Sequence, residues 1–284
     1  MKHGWIAMSQ YFKEYGRALE MLRKIDSYTG KSIGNARMDV FDLVKYTTIY
    51  EQIENASPKI KAYEINPNYC DCRSKRNINA NNIEMMCDNI KAICNNKDEN
   101  FILAYHPNPD GLLHENGTNS EEVKDFLLSA EKTIENMCNE LKGRNTLIII
   151  SADHGHKDIE KTYNILDMEE IQECIIMPAS LESRAVTFWV KEDKKKKFEE
   201  FFSNKLKDEF ILYTKQEFLD KNLLGYGEKH KKIDDFIGNY IAVAIGNSII
   251  KLETNISKEK KNKKSTHCGF TPDEMEVPLI IKEL

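Results

Sequence analysis

The 284-residue sequence lacks any apolar run long enough to cross a bilayer. Its longest apolar stretches, at 146–152 and 240–246, fall well short of the roughly 20 residues that a membrane span requires. The N-terminal segment also lacks the apolar core and small-residue cleavage site of a secretory signal. The sequence therefore predicts no membrane span and a cytoplasmic protein.

An excess of positive charge is absent as well. The chain carries 41 basic and 46 acidic side chains, which gives a formal net charge of −5. No global positive field would draw such a chain to a nucleic-acid polymer or to anionic lipid. Binding to a nucleic-acid polymer is therefore disfavoured, and the length suits one large domain or two small ones.

The cysteines form no regular framework. There are seven of them, an odd number, scattered through a chain too large to depend on disulfides for its stability. The pair Cys70 and Cys72 has a spacing that a soft metal could use, but no second pair of this kind completes a tetrahedral set. We interpret the cysteines as reduced thiols.

Beyond the first 78 residues, the apolar pattern alternates between helical and extended periods, which indicates an α/β fold. Apolar residues at three- and four-residue spacing predict helices over 83–94 and 119–141, the second with Asn119 as its N-cap. Strands are predicted at 101–105 and at 146–150, where Thr146 is followed by four apolar residues, as in a strand covered on both faces. This order predicts a parallel crossover, with both strands ending at one edge of the sheet.

The second half of the chain contains a further strand, helix and strand. The strands are predicted at 184–190 and 210–214, with a phenylalanine-rich helix between them. This unit indicates a small inserted α/β lobe near 181–236, within a single domain that spans 1–284. A final strand is predicted at 277–281.

A polar segment with the motif NPDGLLH follows the strand at 101–105 and contains Asp110 and His114. Parallel α/β sheets bind ligands beyond the carboxyl ends of their strands, where this segment is expected to lie. An aspartate and a histidine four residues apart offer zinc an oxygen and a nitrogen ligand. The alternative is a turn-forming aspartate beside a solvated histidine.

A second polar cluster, SADHGH, follows the strand at 146–150. Gly155 is expected to supply a turn that lets Asp153 and His154 share a metal, and the alternative is a capping aspartate at the strand end. For His156, contact with substrate and simple exposure stay open. His267 joins the others only if its loop returns to the same edge of the sheet. With Asp110 and His114 the set would have five ligands, one or two short of a two-metal site.

The order NPDGxxH, a strand with ADHG, and THxGxTPDExxVPLI resembles the alkaline phosphatase superfamily, specifically its type I phosphodiesterase / nucleotide pyrophosphatase branch. The resemblance covers most of the chain. It implies a three-layer sandwich with a mostly parallel central sheet and two divalent metal ions, zinc or alternatively manganese. It assigns Asp110, His114 and His267 to one ion, and Asp153 and His154 to the other.

In this family a further aspartate near the N-terminus and a nucleophilic threonine or serine complete the second metal site. The nucleophile lies shortly upstream of an HG segment, and the present sequence begins at that segment, His3-Gly4. We therefore expect a chain truncated at its N-terminus, whose catalytic nucleophile is absent and unknown. Some relatives carry an asparagine that holds a phosphoryl oxygen where Ala7, Met8 and Ser9 stand here, which argues against assigning a nucleotide substrate by analogy.

The sequence thus predicts a metal-dependent hydrolase whose partner is a small-molecule phosphate ester, most closely a phosphodiesterase or nucleotide pyrophosphatase with two zinc ions. Among enzymes, the alternative is a related phosphomonoesterase, sulfatase or phosphonate hydrolase. From another class, the alternative is a catalytically silent fragment or pseudoenzyme that binds metal or ligand without turnover. Neither the leaving group nor the oligomeric state follows from these residues.

Overall fold

The computed structural model describes residues 6–20, 25–32, 46–68, 73–251 and 263–284. His3 and Gly4, on which the expected truncation depends, and the Cys70 and Cys72 pair lie outside these ranges. The chain divides into two compact units. Unit 1 comprises Met1–Tyr46 and His154–Glu276, and unit 2 comprises Thr47–Asp153 and Val277–Leu284.

Helices and strands alternate along most of the described chain, as the sequence predicts. The strands are β1 (Ser9–Phe12), β2 (Arg17–Glu20), β3 (Ile25–Asp26), β4 (Ile60–Asn66), β5 (Arg76–Asn79), β6 (Glu99–Ala104), β7 (Leu147–Ser151), β8 (Lys157–Asp158), β9 (Lys161–Asn164), β10 (Ile175–Glu182), β11 (Ala185–Val190), β12 (Phe210–Thr214), β13 (Tyr240–Ala244), β14 (Ser248–Lys251), β15 (Ser265–Thr266) and β16 (Leu279–Glu283). The helices are α1 (Ile49–Ala56), α2 (Ile83–Cys94), α3 (Asp110–Asn116), α4 (Glu121–Glu140), α5 (Glu169–Cys174), α6 (Lys195–Lys205), α7 (Lys215–Asp220), α8 (Ile233–Phe236) and α9 (Pro272–Met275), with short 3-10 turns at Ile165–Asp167 and Glu192–Lys194.

Unit 1 contains a seven-stranded sheet in the order β12-β13-β11-β10-β1-β2-β3. Every pairing in this sheet is antiparallel. Among the described residues, parallel pairing occurs only between β4 and its neighbours β5 and β6, and between β9 and β14. The α/β class is confirmed, whereas a mostly parallel central sheet is not. One cause is the position of β13. This strand follows β12 in the chain but lies between β11 and β12 in the sheet, and it runs antiparallel to both.

The predicted strand, helix and strand in the second half are confirmed as β11, α6 and β12, and residues 181–236 lie within unit 1. Rings from these elements pack with their centroids 5.2 to 6.5 Å apart around Phe188, Phe198, Phe202 and Tyr240. Full burial of such a side chain contributes about 1.5–3 kcal/mol. This aromatic core fixes α6 against the sheet.

Unit 2 contains the three-stranded parallel sheet β5-β4-β6 and the antiparallel pair of β7 with β16. The predicted helix over 83–94 is confirmed as α2, which packs against α4 through buried Cys87, Met137 and Leu141. The second helix begins at Glu121, because the Ser120 hydroxyl accepts the Val123 N–H at 3.3 Å and serves as the N-cap expected from Asn119. Within the described ranges, no helix combines the length and apolar character that a membrane crossing requires.

Two predictions about the strand at 146–150 are wrong. Leu147 and Ile149 of β7 are 56% and 59% exposed, so the strand is not covered on both faces in the described residues. The strand also pairs with β16, while β6 pairs with β4, so among the described residues the two strands do not share one hydrogen-bonded sheet, as the expected parallel crossover requires. An all-apolar strand is compatible with burial on both faces but does not specify its hydrogen-bonded neighbour.

The cysteines in the described ranges are free thiols: Cys87, Cys94, Cys138, Cys174 and Cys268. Burial raises the pKa of the Cys87 thiol to about 11. A thiol with such a pKa is neutral at physiological pH and a poor nucleophile. Within the described ranges these five residues are not joined in disulfides, and their reduced state stays a prediction from the sequence.

Candidate metal centre

The pairing of β8 with β15 brings two histidines of unit 1 together. In this antiparallel pair Lys157 lies opposite Thr266, and Asp158 lies opposite Ser265. His156 directly precedes β8 and His267 directly follows β15, so the register places these two residues side by side. Their ring centroids are 5.2 Å apart. The loop that carries His267 thus returns to His156 of the SADHGH segment, which is the condition for His267 to join the site.

A third histidine completes the cluster. The ring of His154 stacks on that of His267, with centroids 3.6 Å apart and an interplanar angle of 13°. The His154 and His156 rings are 5.5 Å apart. One nitrogen from each of the three rings lies within 4.8 Å of the corresponding nitrogens of the other two. Three imidazole nitrogens that converge in this way could bind one metal ion or neighbouring ions.

Hydrogen bonds and close contacts orient these rings. Each uses Nδ1 for a contact with a neighbour: His154 with the Gly155 carbonyl at 2.9 Å, His156 with the Ser265 hydroxyl at 3.0 Å, and His267 with the Cys268 sulfur at 3.1 Å. Metal-binding histidines usually engage their second nitrogen in this manner, which fixes the ring and leaves Nε2 for the metal. Burial, together with the carboxylates of Glu182 and Glu274, raises the pKa of the Cys268 thiol far above its usual range. Cys268 is therefore a neutral thiol at physiological pH.

Gly155 plays a different role from the one predicted. The bend in the SADHGH segment falls at Asp153, and the φ angle of Gly155 is outside the left-handed region. A Cβ atom at Gly155 would lie only 2.0 Å from the Asp273 carbonyl oxygen, and the Gly155 N–H donates to the Glu274 carbonyl at 2.8 Å. Glycine is needed here because two backbone segments approach each other closely.

A buried ion pair holds the loop that follows His267. Arg184 donates to both carboxylate oxygens of Glu274, and the same carboxylate accepts the Gly269 N–H and the Thr271 hydroxyl. Two further guanidinium N–H groups donate to the carbonyls of Gly246 and Ser248. No local pattern in the sequence indicates this pair, because Arg184 and Glu274 are 90 residues apart.

Asp110 and His114 belong to unit 2 and lie on α3, not in the expected loop. Their spacing of four residues places both side chains on one face of the helix, with the Asp110 Oδ1 and His114 Nε2 atoms 3.3 Å apart. The His114 side chain is only 13% exposed, so the alternative of a solvated histidine is wrong. Asp153, also in unit 2, is exposed.

His156 is the residue whose environment the sequence described least well. It is 7% exposed and joins the other two histidines, whereas the sequence left substrate contact and simple exposure open. Its burial depends on β15, which lies more than 100 residues further along the chain. No local pattern in the sequence reports such a pairing.

Comparison with known proteins gives a family and several similar structures. A family model described as type I phosphodiesterase / nucleotide pyrophosphatase matches residues 25–267. No curated protein sequence matches the chain.

Human ectonucleotide pyrophosphatase / phosphodiesterase 5 is 16% identical, with a TM-score of 0.64 over 99% of this chain and 72% of that chain. An inactive variant of its murine counterpart, in complex with AMP, is 15% identical, with a TM-score of 0.63 over 98% and 71%. Phosphonoacetate hydrolase from Sinorhizobium meliloti, in complex with phosphonoformate, is 13% identical, with a TM-score of 0.64 over 98% and 74%. At these identities the similarity shows a shared α/β fold of the alkaline phosphatase type.

Proposed function

The chain belongs to the type I phosphodiesterase / nucleotide pyrophosphatase family, and from this premise we propose that it is a metal-dependent hydrolase of small phosphodiesters. The observation that carries the proposal is the convergence of His154, His156 and His267, each of which offers one nitrogen within 4.8 Å of the others. Membership supplies the reaction class, and the imidazole cluster supplies a place in unit 1 where a metal would bind.

The donor chemistry fits the proposed ions. Zinc accepts histidine nitrogen and carboxylate oxygen, and imidazole ligands favour zinc over manganese, which prefers oxygen ligands. From the sequence motifs we assign Asp110, His114 and His267 to one zinc ion, and Asp153 and His154 to a second. The contact of Asp110 with His114, and the orientation of the rings of His154 and His267 through Nδ1, support these assignments within each unit.

Divalent ions at such a centre would neutralise charge on the transferring phosphoryl group and polarise its oxygens. The chain's own residues keep the imidazoles oriented before the substrate binds. The reaction then needs no reorganisation of these side chains. Arg184 does not serve as a phosphate-binding residue in this proposal. Its guanidinium is fully buried, and its donors are engaged by Glu274, Gly246 and Ser248.

The substrate class is proposed from the comparisons with solved structures. One similar structure is in complex with AMP and another with phosphonoformate, both small phosphorus oxyanions. A phosphonate hydrolase is the second candidate, because the phosphonoacetate hydrolase matches this fold as well as the pyrophosphatase does. A cytoplasmic location stays a prediction from the sequence.

The proposal is tested with purified protein loaded with zinc. Bis(p-nitrophenyl) phosphate, p-nitrophenyl phosphate and phosphonoacetate distinguish a diesterase, a monoesterase and a phosphonate hydrolase. We expect the diester to be hydrolysed fastest, and activity to be lost after chelation and in His267→Ala. His230→Ala is the matched control, because His230 is also half-buried in unit 1 and stacks on Phe236. Zinc binding without turnover of any of the three substrates would favour the catalytically silent alternative.

A further inference from the structure

We propose that His156 is a further metal ligand, in addition to the five that the motifs assign, and this inference rests on the proposed function. The five assigned ligands are one or two short of a two-metal site. His156 would supply an additional nitrogen from within unit 1. The family resemblance assigns no metal to this position.

The ring of His156 lies close to the rings of two assigned ligands. The register of β8 with β15 places His156 beside His267, and the ring centroids of His156 lie 5.2 and 5.5 Å from those of His267 and His154. Its ligand nitrogen is within 4.8 Å of theirs. Ions bound by His154 or His267 would therefore lie within reach of His156 without rearrangement of the backbone.

The environment of the His156 side chain also favours a ligand role. The Nδ1 atom of His156 is 3.0 Å from the hydroxyl of Ser265, which is itself fully buried at the start of β15. This pair resembles the outer hydrogen bond that orients a metal-binding histidine, and it directs Nε2 to act as the ligand. Because the residue is 7% exposed, it offers little surface to a bulky ester, whereas a metal needs only one nitrogen.

The neighbouring backbone holds His156 in this position. Gly155, immediately before it, donates to the carbonyl of Glu274 at 2.8 Å, and Lys157, immediately after it, pairs with Thr266 in the β-ladder. The ring is therefore anchored on both sides along the chain and at Nδ1. Such anchoring is what a preorganised ligand requires.

The first experiment measures zinc affinity by competition with a chromogenic chelator for wild type, His156→Ala, Ser265→Ala and the control His230→Ala. Loss of an outer hydrogen bond to a ligand costs about 10–100-fold in metal affinity, so we expect at least that loss in His156→Ala. Ser265→Ala should show a smaller loss, and His230→Ala should match wild type. His230 is a fair control because its Nδ1 is also hydrogen-bonded, to the Lys232 N–H at 3.2 Å.

The second experiment uses the wild-type protein, so it does not require any variant to fold. Long-range 1H–15N spectra of the wild-type imidazoles, recorded without and with zinc, report which ring nitrogen binds metal. We expect the Nε2 signal of His156 to shift on zinc addition and that of His230 to stay in place.

The outcomes separate the two proposals. If wild type binds no zinc, the proposed function and the inference both fail. If wild type binds zinc but the His156 Nε2 signal does not move, or His156→Ala binds zinc as tightly as His230→Ala, the inference alone is overturned.

Discussion

Arg184 and Glu274 form a two-point ion pair that is closed to solvent. The guanidinium Nε and Nη2 atoms donate to the two carboxylate oxygens at 2.6 Å, and the side chains are 0% and 1% exposed. Through its own carbonyl, Glu274 also accepts the N–H of Gly155. One residue therefore links the loop that follows His267 to the segment that carries His154 and His156, so the histidine cluster depends on a buried charge pair.

Removal of this pair should destabilise the protein strongly. Glu274→Gln leaves the Arg184 charge buried without its counter-charge, and loss of one partner of a buried pair costs about 3–5 kcal/mol. The neighbouring Asp273→Asn breaks only the contact with Lys157 at the surface, for which about 0–1 kcal/mol is expected. Urea denaturation of both variants measures these losses. Equal losses would show that burial of the Arg184 pair has no special importance.

Gly155→Ala should disturb the histidine cluster without removing any ligand. The added methyl group would meet the Asp273 carbonyl oxygen at 2.0 Å, so one of the two backbone segments must move. Overpacking of this kind costs about 1–3 kcal/mol. We expect lower stability and weaker zinc binding, measured by denaturation and by competition. Ala152→Gly, at an exposed position nearby, is the control and should leave zinc binding unchanged. Wild-type zinc affinity in Gly155→Ala would contradict this account.

The sequence predicted what local patterns determine. The helices α2 and α4 follow from apolar residues repeated every three or four positions, and the aromatic residues of α6 similarly specify its buried face. The position of β13 between β11 and β12 could not be predicted. Its pairing joins segments about 30 and 55 residues apart, and the periodicity of apolar residues gives no information about such distant partners. The N-cap at Ser120 was missed because Asn119 and Ser120 are adjacent and are both good caps.

The candidate site shows the same division. Motif order and resemblance identified His154 and His267, and the structure brings their rings into contact. The burial of His156 and the pair of Arg184 with Glu274 depend on contacts across 109 and 90 residues. These contacts follow from strand pairing and side-chain packing, which a single sequence does not specify.

Asp26→Asn should make stability less dependent on pH in the acidic range. Burial raises the pKa of the Asp26 carboxyl, but the N–H groups of Thr29 and Tyr28 and the charge of Arg17 outweigh it, so the pKa lies below its usual value. A carboxyl whose pKa is lowered in the folded state makes its full contribution to stability at pH values above its unfolded-state pKa of about 3.9. This contribution is lost as the pH falls through the folded-state pKa.

The variant should therefore lose about 1.5–3 kcal/mol of unfolding free energy at pH 7, the contribution of hydrogen bonds to a charged group, and the difference from wild type should shrink below pH ~4. Urea denaturation at pH 7 and pH 3 measures both values. The control is Asp98→Asn, since Asp98 is 39% exposed and its contact with Lys61 should contribute little at either pH. If the difference in unfolding free energy between Asp26→Asn and wild type is the same at both pH values, the lowered pKa of Asp26 does not contribute to stability as expected.

Two aspartates should act on different metal ions. Asp110 lies on α3 next to His114, whereas Asp153 is the exposed residue at the bend that precedes His154. An amide keeps the shape of the carboxylate but loses the charge that zinc prefers. Each asparagine variant should therefore weaken the binding of one zinc ion and leave the other ion bound. Zinc content after dialysis against a series of buffered zinc concentrations measures this, with Asp273→Asn as the control that should retain the wild-type content.

If the motifs assign the ligands correctly, Asp110→Asn and Asp153→Asn each bind about one zinc ion fewer at low free zinc and recover it at high zinc. Simultaneous loss of all zinc in either variant, at every concentration, would reject two separable sites and favour a single shared ion.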